Sequence, residues 1–403
     1  MASINTHKHF PLNISPAASD DRSMHEVILQ TVVKKLKNDP VLYISGALAV
    51  ASMFIVHPDA NYISYLNLRV LAILFALMLI VSALTRIGTF EFLTGKILSR
   101  ISSEKRMSLF LVILSFFMSM FLTNDVTLVT LVPFSIMVLK AFGDNRRLMY
   151  SLILMTVSAN LGSMLTPIGN PQNLYLYTNY HIEMGDFLLL MLPFSTLSMI
   201  LLIIAVLIFN RTDKTVDTCI NSEVQTPNIR KLAVYLTLFV ISILTVTGQI
   251  HYGIMLLIVG ITTLIMDKGA FRKVDYSLLL TFCFFFVLIG NLQRIDVIYN
   301  TLSGIVEKNV TLTAILSSQI ISNVPAAMLL SAFTDNGRAL IIGSNLGGLG
   351  TIIASMTSLI TFKFYNNEVR SGQLKEGGNY LLSFSVINVL ILVALYAAYL
   401  VIK

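Results

Sequence analysis

The stretch "SSQIISNVPAAMLLSAFTDNGR" (residues 317–338) is apolar at both ends, yet Ser322-Asn323 stands at its middle with Pro325 just behind. As helices, the arms 311–321 and 324–333 would rise only ~15–17 Å. The hydrocarbon layer of a bilayer is ~30 Å thick. Neither arm can cross it, so the segment is expected to enter and leave by one face, carrying an amide and a hydroxyl to its turning point. Segment 107–140 has the same form around Thr123-Asn124-Asp125. Its longer arms, ~24 Å each, leave a hairpin and two thin crossings both open.

Composition makes a bilayer the frame for this reading. Hydrophobic residues are 55% of 403 and charged residues 12%, and the mean hydropathy is +0.78. A soluble chain carries about 25% charged residues. Apolar runs near the ~20 residues of a helical crossing recur along the chain. We read crossings at 40–57, 68–86, 148–181, 186–209, 231–249, 251–267, 276–293, 338–365 and 379–401, with 148–181 and 338–365 interrupted. The expected fold class is an all-α polytopic membrane protein. Stretches 88–103 and 295–308 read as amphipathic, lying along the interface. Residues 1–39 form a polar N-terminal segment, in which 22–38, with Lys34, Lys35 and Lys37, reads either as an amphipathic helix or as a plain basic flank.

The net charge of +7 does not point to nucleic acid, because the basic residues sit in short loops and form no dense tract. With the N-terminus in the cytoplasm, only Arg69, Arg294, Lys308, Arg338 and Lys403 of 28 Lys and Arg fall outside. That asymmetry predicts a multi-pass cell-membrane protein with its C-terminus outside. Cys219 lies in a polar loop and Cys283 in an apolar run, which suggests neither a disulfide framework nor a metal site. No cofactor is expected.

The second half of the chain echoes the first. "LRVLAILFALMLIVSALTRIG" (68–88) lies on "YSLLLTFCFFFVLIGNLQRID" (276–296) with the Arg-Ile pairs in register. An amphipathic stretch, a hairpin with an Asn tip and a broken helix then follow in each. The breaks "SANLGSMLTPIGNPQN" (158–173) and "GSNLGGLGTIIAS" (343–355) share Asn-Leu-Gly. The expected organisation is a first repeat over 40–209 (hairpin 107–140, broken helix 148–181) and a linker over 210–230. An extra helix over 231–249 leads to a second repeat over 251–401 (hairpin 311–334, broken helix 338–365). An odd number of crossings separates the two starts, so the repeats are expected to be inverted, which points to a secondary transporter with its site near the midplane.

Each break has chemistry suited to such a site. Non-helical backbone at membrane depth survives only where it is buried in protein or lines a wet cavity. Thr166-Pro167 ends one half-helix, and Asn170-Pro171 starts the next near Gln172. Gly162 and Gly169 permit close approach of backbones, as do Gly347, Gly348 and Gly350 in the second break. Thr351 is the expected cap of the half-helix that follows. At the tips, Asn124 or Asp125, and Ser322 or Asn323, are the expected caps. Helix N-termini offer N–H donors to an anion, and freed carbonyls offer oxygens to Na⁺. Asn124, Asn160, Asn323 and Asn345 therefore read as a paired site, and Na⁺ is expected at Asn124, Asp125 and Asn323. Asp125 is the one acidic residue deep in an apolar run. It reads as a Na⁺ ligand, as the carrier of a coupling proton, or as a helix cap in a wet cavity.

"FLTNDVTLVTLVPF" (121–134), "ANLGSMLTPIGNPQNLYLY" (159–177) and "QIISNVPAAMLL" (319–330) resemble the ion transporter superfamily, whose members include citrate and arsenite permeases, divalent-anion/sodium symporters and D-type sodium/proton antiporters. The resemblance covers about residues 40–401. It implies an inverted repeat with two re-entrant hairpins, a homodimer, and elevator-type movement of a transport domain against a scaffold. It also implies that Thr123, Asn124, Ser322 and Asn323 hold ion and substrate at the tips, with Gly162, Thr166 and Asn170 in one break and Asn345, Gly347 and Thr351 in the other. Asp125 and Val324 depart from the symporters of the group, which have Thr there.

The expected function is Na⁺- or H⁺-coupled carriage of a small anion, a carboxylate such as citrate or a dicarboxylate among the candidates. Na⁺/H⁺ antiport and arsenite-like efflux are the alternatives. The apolar region shows no His-Glu-x-x-His, no Gly-x-Ser-x-Gly and no paired aspartates, which argues against a membrane enzyme.

Overall fold

A computed structural model describes residues 39–90, 92, 101–210, 215 and 226–402. The expected helix at 22–38, most of 88–103, Cys219 and most of the linker 210–230 lie outside them. The described residues are almost wholly helical, and none belongs to a strand longer than one bridge, Ser103 to Thr215.

The first half contains α1 (Pro40–Ile55), α2 (Leu68–Arg86), α3 (Glu104–Leu122), α4 (Asn124–Lys140), α5 (Asn145–Gly162), α6 (Pro171–Asn179) and α7 (Met184–Phe209). After α8 (Ile229–Val246) come α9 (Tyr252–Met266), α10 (Tyr276–Gln293), α11 (Asp296–Val306), α12 (Val310–Ile321), α13 (Asn323–Ser331), α14 (Gly337–Leu346), α15 (Met356–Arg370) and α16 (Tyr380–Ile402). Among the described residues, seven helices are long and apolar enough to cross a membrane: α2, α3, α5 with its 3-10 extension to Leu165, α7, α8, α10 and α16. The chain is an all-α polytopic membrane protein. α12 and α13, at 12 and 9 residues, rise only ~18 and ~14 Å. α3 and α4, at 19 and 17 residues, rise ~28 and ~25 Å.

Packing follows a reciprocal plan. Within each half, α3, α4 and α5 pack on one another, as do α12, α13 and α14. The helix that resumes after each break crosses to the other half: α6 packs on α13 and α14, and α15 on α4 and α5. The same exchange joins α1 to α10 and α9 to α2. Ion pairs repeat it. Arg86 at the end of α2 meets Asp267 just after α9 at 2.8 Å, and Arg294 at the end of α10 meets Asp59 in the loop after α1 at 2.9 Å. These are the two arginines that the sequence places in register. The long helices turn apolar side chains outward, for instance Leu189, Ile200 and Ile204 of α7 and Leu382, Leu390 and Val393 of α16. α5 is the reverse, with nearly every residue from Leu148 to Gly162 buried. A lipid solvent explains the first pattern and a central position the second.

Candidate functional site

The two helix pairs turn at Thr123 and Ser322, with φ 70° and ψ 152° at the first and φ 73° and ψ 156° at the second. Almost only glycine enters this region freely, and each residue there stores ~1–3 kcal/mol of strain. Local bonds hold it. The Thr123 carbonyl accepts from both the N–H and the hydroxyl of Thr127, at 3.2 and 2.8 Å. The Ser322 carbonyl accepts from the Ala326 N–H at 3.0 Å. The next residue is Asn in both, and its side-chain oxygen accepts from the following N–H at 3.0 Å, Asp125 in one tip and Val324 in the other. Thr123 and Ser322 thus occupy the cap positions without a side-chain capping bond. The Asn residues expected as caps open the helices instead.

A two-residue bridge, Ala354-Ser355, links the tips. The Ala354 carbonyl accepts from the Asn323 N–H at 3.0 Å and from the Ser322 hydroxyl at 3.3 Å. The Ser355 hydroxyl donates to Asn160 Oδ1 at 3.0 Å, and Asn124 Nδ2 donates to the same oxygen at 3.0 Å. Asn160 Nδ2 reaches the Ser358 hydroxyl at 3.5 Å. Asn124, Asn160 and Asn323 are each about 95% buried, so every one of these bonds is made out of water, where an unmade one costs ~1–3 kcal/mol. Asp125, half-buried, accepts a hydrogen bond from Thr357 in the first turn of α15. Its carboxylate therefore stands near the N-termini of both α4 and α15, which favour negative charge.

Asn345 is the counterpart of Asn160 on the other side. Its Nδ2 donates to Asn173 Oδ1 at 2.7 Å and to the Ile341 carbonyl at 2.8 Å, while its Oδ1, buried, has no partner. Gln172, fully buried at the start of α6, has neither amide atom partnered. Gly162 and Gly347 play matching steric roles. A methyl group on Gly162 would come within 3.0 Å of the Phe116 carbonyl and Ser119, and one on Gly347 within 3.0 Å of Ser318.

The remaining predicted residues brace the breaks. Thr166 donates to the Met120 carbonyl at 2.5 Å and accepts from the Gly169 N–H at 3.0 Å. Asn170 precedes Pro171, the first residue of α6, as expected, but its amide donates to the Ser163 hydroxyl rather than capping. Thr351 is exposed and caps nothing; α15 starts later, at Met356, with Ser355 in the cap position. The Gly347–Ser355 segment stays non-helical because its amides and carbonyls are taken by Gln319 and the Ser322 tip.

Sequence reasoning missed Asn173, Ser355, Thr357, Ser358 and Gln319. The polar run Ser355-Met356-Thr357-Ser358 inside an apolar stretch was a usable signal; Gln319 had none, being one polar residue in a helix arm. A cavity of about 520 Å³ lies away from the tips, between Arg69, Tyr177, His181, Glu183, Thr247 and Gly248.

Known proteins of similar sequence are membrane proteins and transporters. A family described as citrate transporter matches residues 27–336. The chain is 37% identical over 330 residues to an uncharacterised transporter of Methanocaldococcus jannaschii, covering 80% of this chain and 87% of that one. It is 29% identical to the inner membrane protein YbiR of Escherichia coli, over 78% of this chain and 85% of that one. Over a shorter stretch, 37% of this chain and 30% of the relative, it is 32% identical to a silicon efflux transporter of Oryza sativa subsp. japonica. The fold and these matches define a polytopic membrane transporter, not an enzyme. The chain belongs to the citrate transporter family of the ion transporter superfamily.

Proposed function

We propose that the protein is a secondary active transporter that moves a small anion, driven by Na⁺ or H⁺. The observation that carries the reading is the Ala354-Ser355 bridge, which ties two strained, identically turned tips from distant parts of the chain into one amide-rich cluster. The reciprocal crossing of α6 and α15 supports an inverted repeat whose tips enter from opposite faces. In that arrangement α12–α13 is a re-entrant hairpin, because neither helix can span ~30 Å, and α3–α4 is its counterpart. Substrate and ion are held by Thr123, Asn124, Asp125 and Asn160 with Gly162, Thr166 and Asn170 on one side, and by Ser322, Asn323, Asn345, Gly347 and Thr351 on the other. Asp125 is the coupling residue, as Na⁺ ligand or proton carrier. Na⁺ would sit at Asn124, Asp125 and Asn323.

The cycle is an elevator. The tips, breaks, α7 and α16 form the moving body; α1, α2, α8, α9 and α10 form a scaffold that dimerises in the cell membrane, the N-terminus cytoplasmic and the C-terminus outside. The second reading is efflux. The relative named as a silicon efflux transporter favours it, and so does a carboxylate at the tip, which repels an anion rather than attracting one.

Uptake into proteoliposomes decides between them. An inward Na⁺ or H⁺ gradient should drive accumulation of at least one member of a panel of carboxylates and inorganic anions. If no gradient drives uptake of any, and preloaded vesicles instead extrude an oxyacid against its gradient, symport is wrong and efflux stands.

A further inference from the structure

Six basic residues among those described gather at one end of the scaffold helices. Arg86 closes α2, Arg230 and Lys231 stand in the first turn of α8, and Lys268, Arg272 and Lys273 stand on the 3-10 helix Lys268–Lys273 that joins α9 to α10. α2 packs on α8, on α9 and on that 3-10 helix, and α8 packs on α9, so these ends meet. Contacts place the bases more closely. Lys231 Nζ donates to the Met266 carbonyl at 3.4 Å, just before Asp267. The Arg86 guanidinium reaches Asp267 at 2.8 Å and lies so close over Gly269 that a methyl group there would come within 3.0 Å of it. This is the end read above as cytoplasmic.

Among the described residues, the acids at this end are already engaged. Asp267 holds Arg86 and accepts from the Gly269 N–H at 3.0 Å. Asp275 caps α10 by accepting from the Leu278 N–H at 3.2 Å, and Asp39 caps α1 and accepts from the Ser277 hydroxyl. Arg230, Lys268, Arg272 and Lys273 make no ion pair among the described residues. Arg272 is also partly out of water: its Nε is buried and has no hydrogen-bond partner. The ends of α3, α4, α5 and α15 are built otherwise. There Arg147 meets Glu104 at 2.7 Å and Asp144 at 3.3 Å, and Lys140 meets Glu368.

Unanswered positive charge at a bilayer surface attracts anions, and basic clusters between membrane helices suit lipid headgroups. An anion on the outer nitrogens of Arg272 would offset the water it has lost. The side chains beside the cluster favour a lipid over a free ion. Ile229 stands immediately before Arg230, and Ile261, Leu264 and Ile265 lie in the last two turns of α9; all four are exposed. A phosphodiester among the bases leaves its acyl chains against this apolar surface, as its place in the bilayer requires.

We propose that this end of the scaffold binds the phosphate headgroup of an anionic phospholipid, held by Lys268, Arg272 and Lys273 with Arg230 and Lys231 beside them. The site is separate from the tips and touches no transported species, so it stands or falls apart from the coupling scheme above.

Thermal unfolding of the full chain, delipidated in detergent, tests it. Phosphatidylglycerol should raise Tm by about 3 °C or more beyond the effect of the same amount of phosphatidylcholine. Arg230→Gln/Lys268→Gln/Lys273→Gln changes three exposed side chains and should lose most of that difference. Arg106→Gln/Lys363→Gln/Arg370→Gln removes the same charge from exposed positions on α3 and α15 and should keep it. Equal loss in both variants would mean a diffuse attraction to the whole basic side and overturns the site. So does a wild type with no preference for phosphatidylglycerol. Inorganic phosphate should not reproduce the rise; a rise with phosphate that the first variant abolishes marks a free-anion site and overturns the lipid reading. If the first variant does not fold, native mass spectrometry of Lys268→Gln/Lys273→Gln decides. That protein should retain less phosphatidylglycerol than the wild type, and equal retention overturns the proposal.

Discussion

At Thr123 and at Ser322 the chain turns through the same strained backbone, and each turn is followed by an Asn that folds its oxygen onto the next N–H. The residue after that Asn divides them. Asp125 receives the Thr357 hydroxyl from the first turn of α15. Val324 offers no polar group, and Gln172 in the first turn of α6, on the helix that packs against α13, is left with its amide unpartnered. Asn160 is held on three sides, whereas Asn345 keeps a buried oxygen without a partner. One backbone plan, used twice, thus carries a charged tip whose Asn160 is fully bonded and a neutral tip whose Asn345 keeps an unpartnered oxygen. The lesson is physical: symmetry of backbone does not force symmetry of chemistry, because side chains at matched positions are chosen independently.

The largest effect should come from the charge itself. Asp125 is the one carboxylate at the two tips, held by a hydrogen bond from the Thr357 hydroxyl that an amide oxygen could accept equally well. Asp125→Asn should therefore cut gradient-driven uptake to near background in proteoliposomes while leaving the melting temperature close to wild type. Adding Val324→Asp should not restore coupling; if it does, the halves are interchangeable and the distinction is lost.

The two glycines come next. A methyl group at Gly162 strikes a backbone carbonyl of α3, which cannot yield, while at Gly347 it strikes chiefly the Ser318 side chain. Overpacking of this kind costs ~1–3 kcal/mol. Gly162→Ala should sit at or above the top of that range and Gly347→Ala nearer the bottom, with Ser318→Ala partly rescuing the second. Thermal unfolding in detergent reads both.

A smaller difference is expected between the asparagines. Asn160→Ala orphans Asn124, Ser355 and Ser358 together and should cost ~2–3 kcal/mol, whereas Asn345→Ala also removes an unsatisfied oxygen and should cost ~1 kcal/mol. Equal losses would mean that the Asn345 oxygen has a partner in the working protein.

The least effect should be at the outer ion pairs. The Asp59 carboxyl is pushed up by partial loss of water, but the Asn61 N–H and the Arg294 guanidinium outweigh this and hold it below its ordinary 3.8. Its contribution is full above pH 3.8 and disappears as pH falls through the lowered value. Because the pair is exposed, Asp59→Asn should change melting little at pH 7 and remove only a slight part of the acid sensitivity. A marked loss at neutral pH would show that this pair, unlike most at the surface, fixes the scaffold.

Much of the architecture was legible. The long helices announce themselves by apolar length, and the breaks by Pro167, Pro171 and the Gly347-Gly348-Gly350 cluster, because these residues act on the backbone wherever they stand. Both tips were visible as Asn in apolar runs. Thr351 misled: a hydroxyl after glycines looks like a cap, yet α15 waits until Met356 because Gln319 and Ser322 hold the intervening backbone. Gln172 and Thr357 could not be ranked from sequence, since their importance lies in what approaches from the other half of the chain, and Gln319 could not because its partners lie about thirty residues on, across a turn.

Hydropathy and helix-breaking chemistry are local, so the order of residues alone settled that this chain is a helical membrane protein with two polar turns and two broken helices. Which groups those turns bring together was settled only by folding. The meeting of Asn124, Asn160 and Ser355, the Thr357 contact to Asp125 and the bond from Asn345 to Asn173 all depend on α6 and α15 crossing to the opposite half. A hydrogen bond between residues nearly two hundred positions apart leaves no periodic trace in the sequence that makes it.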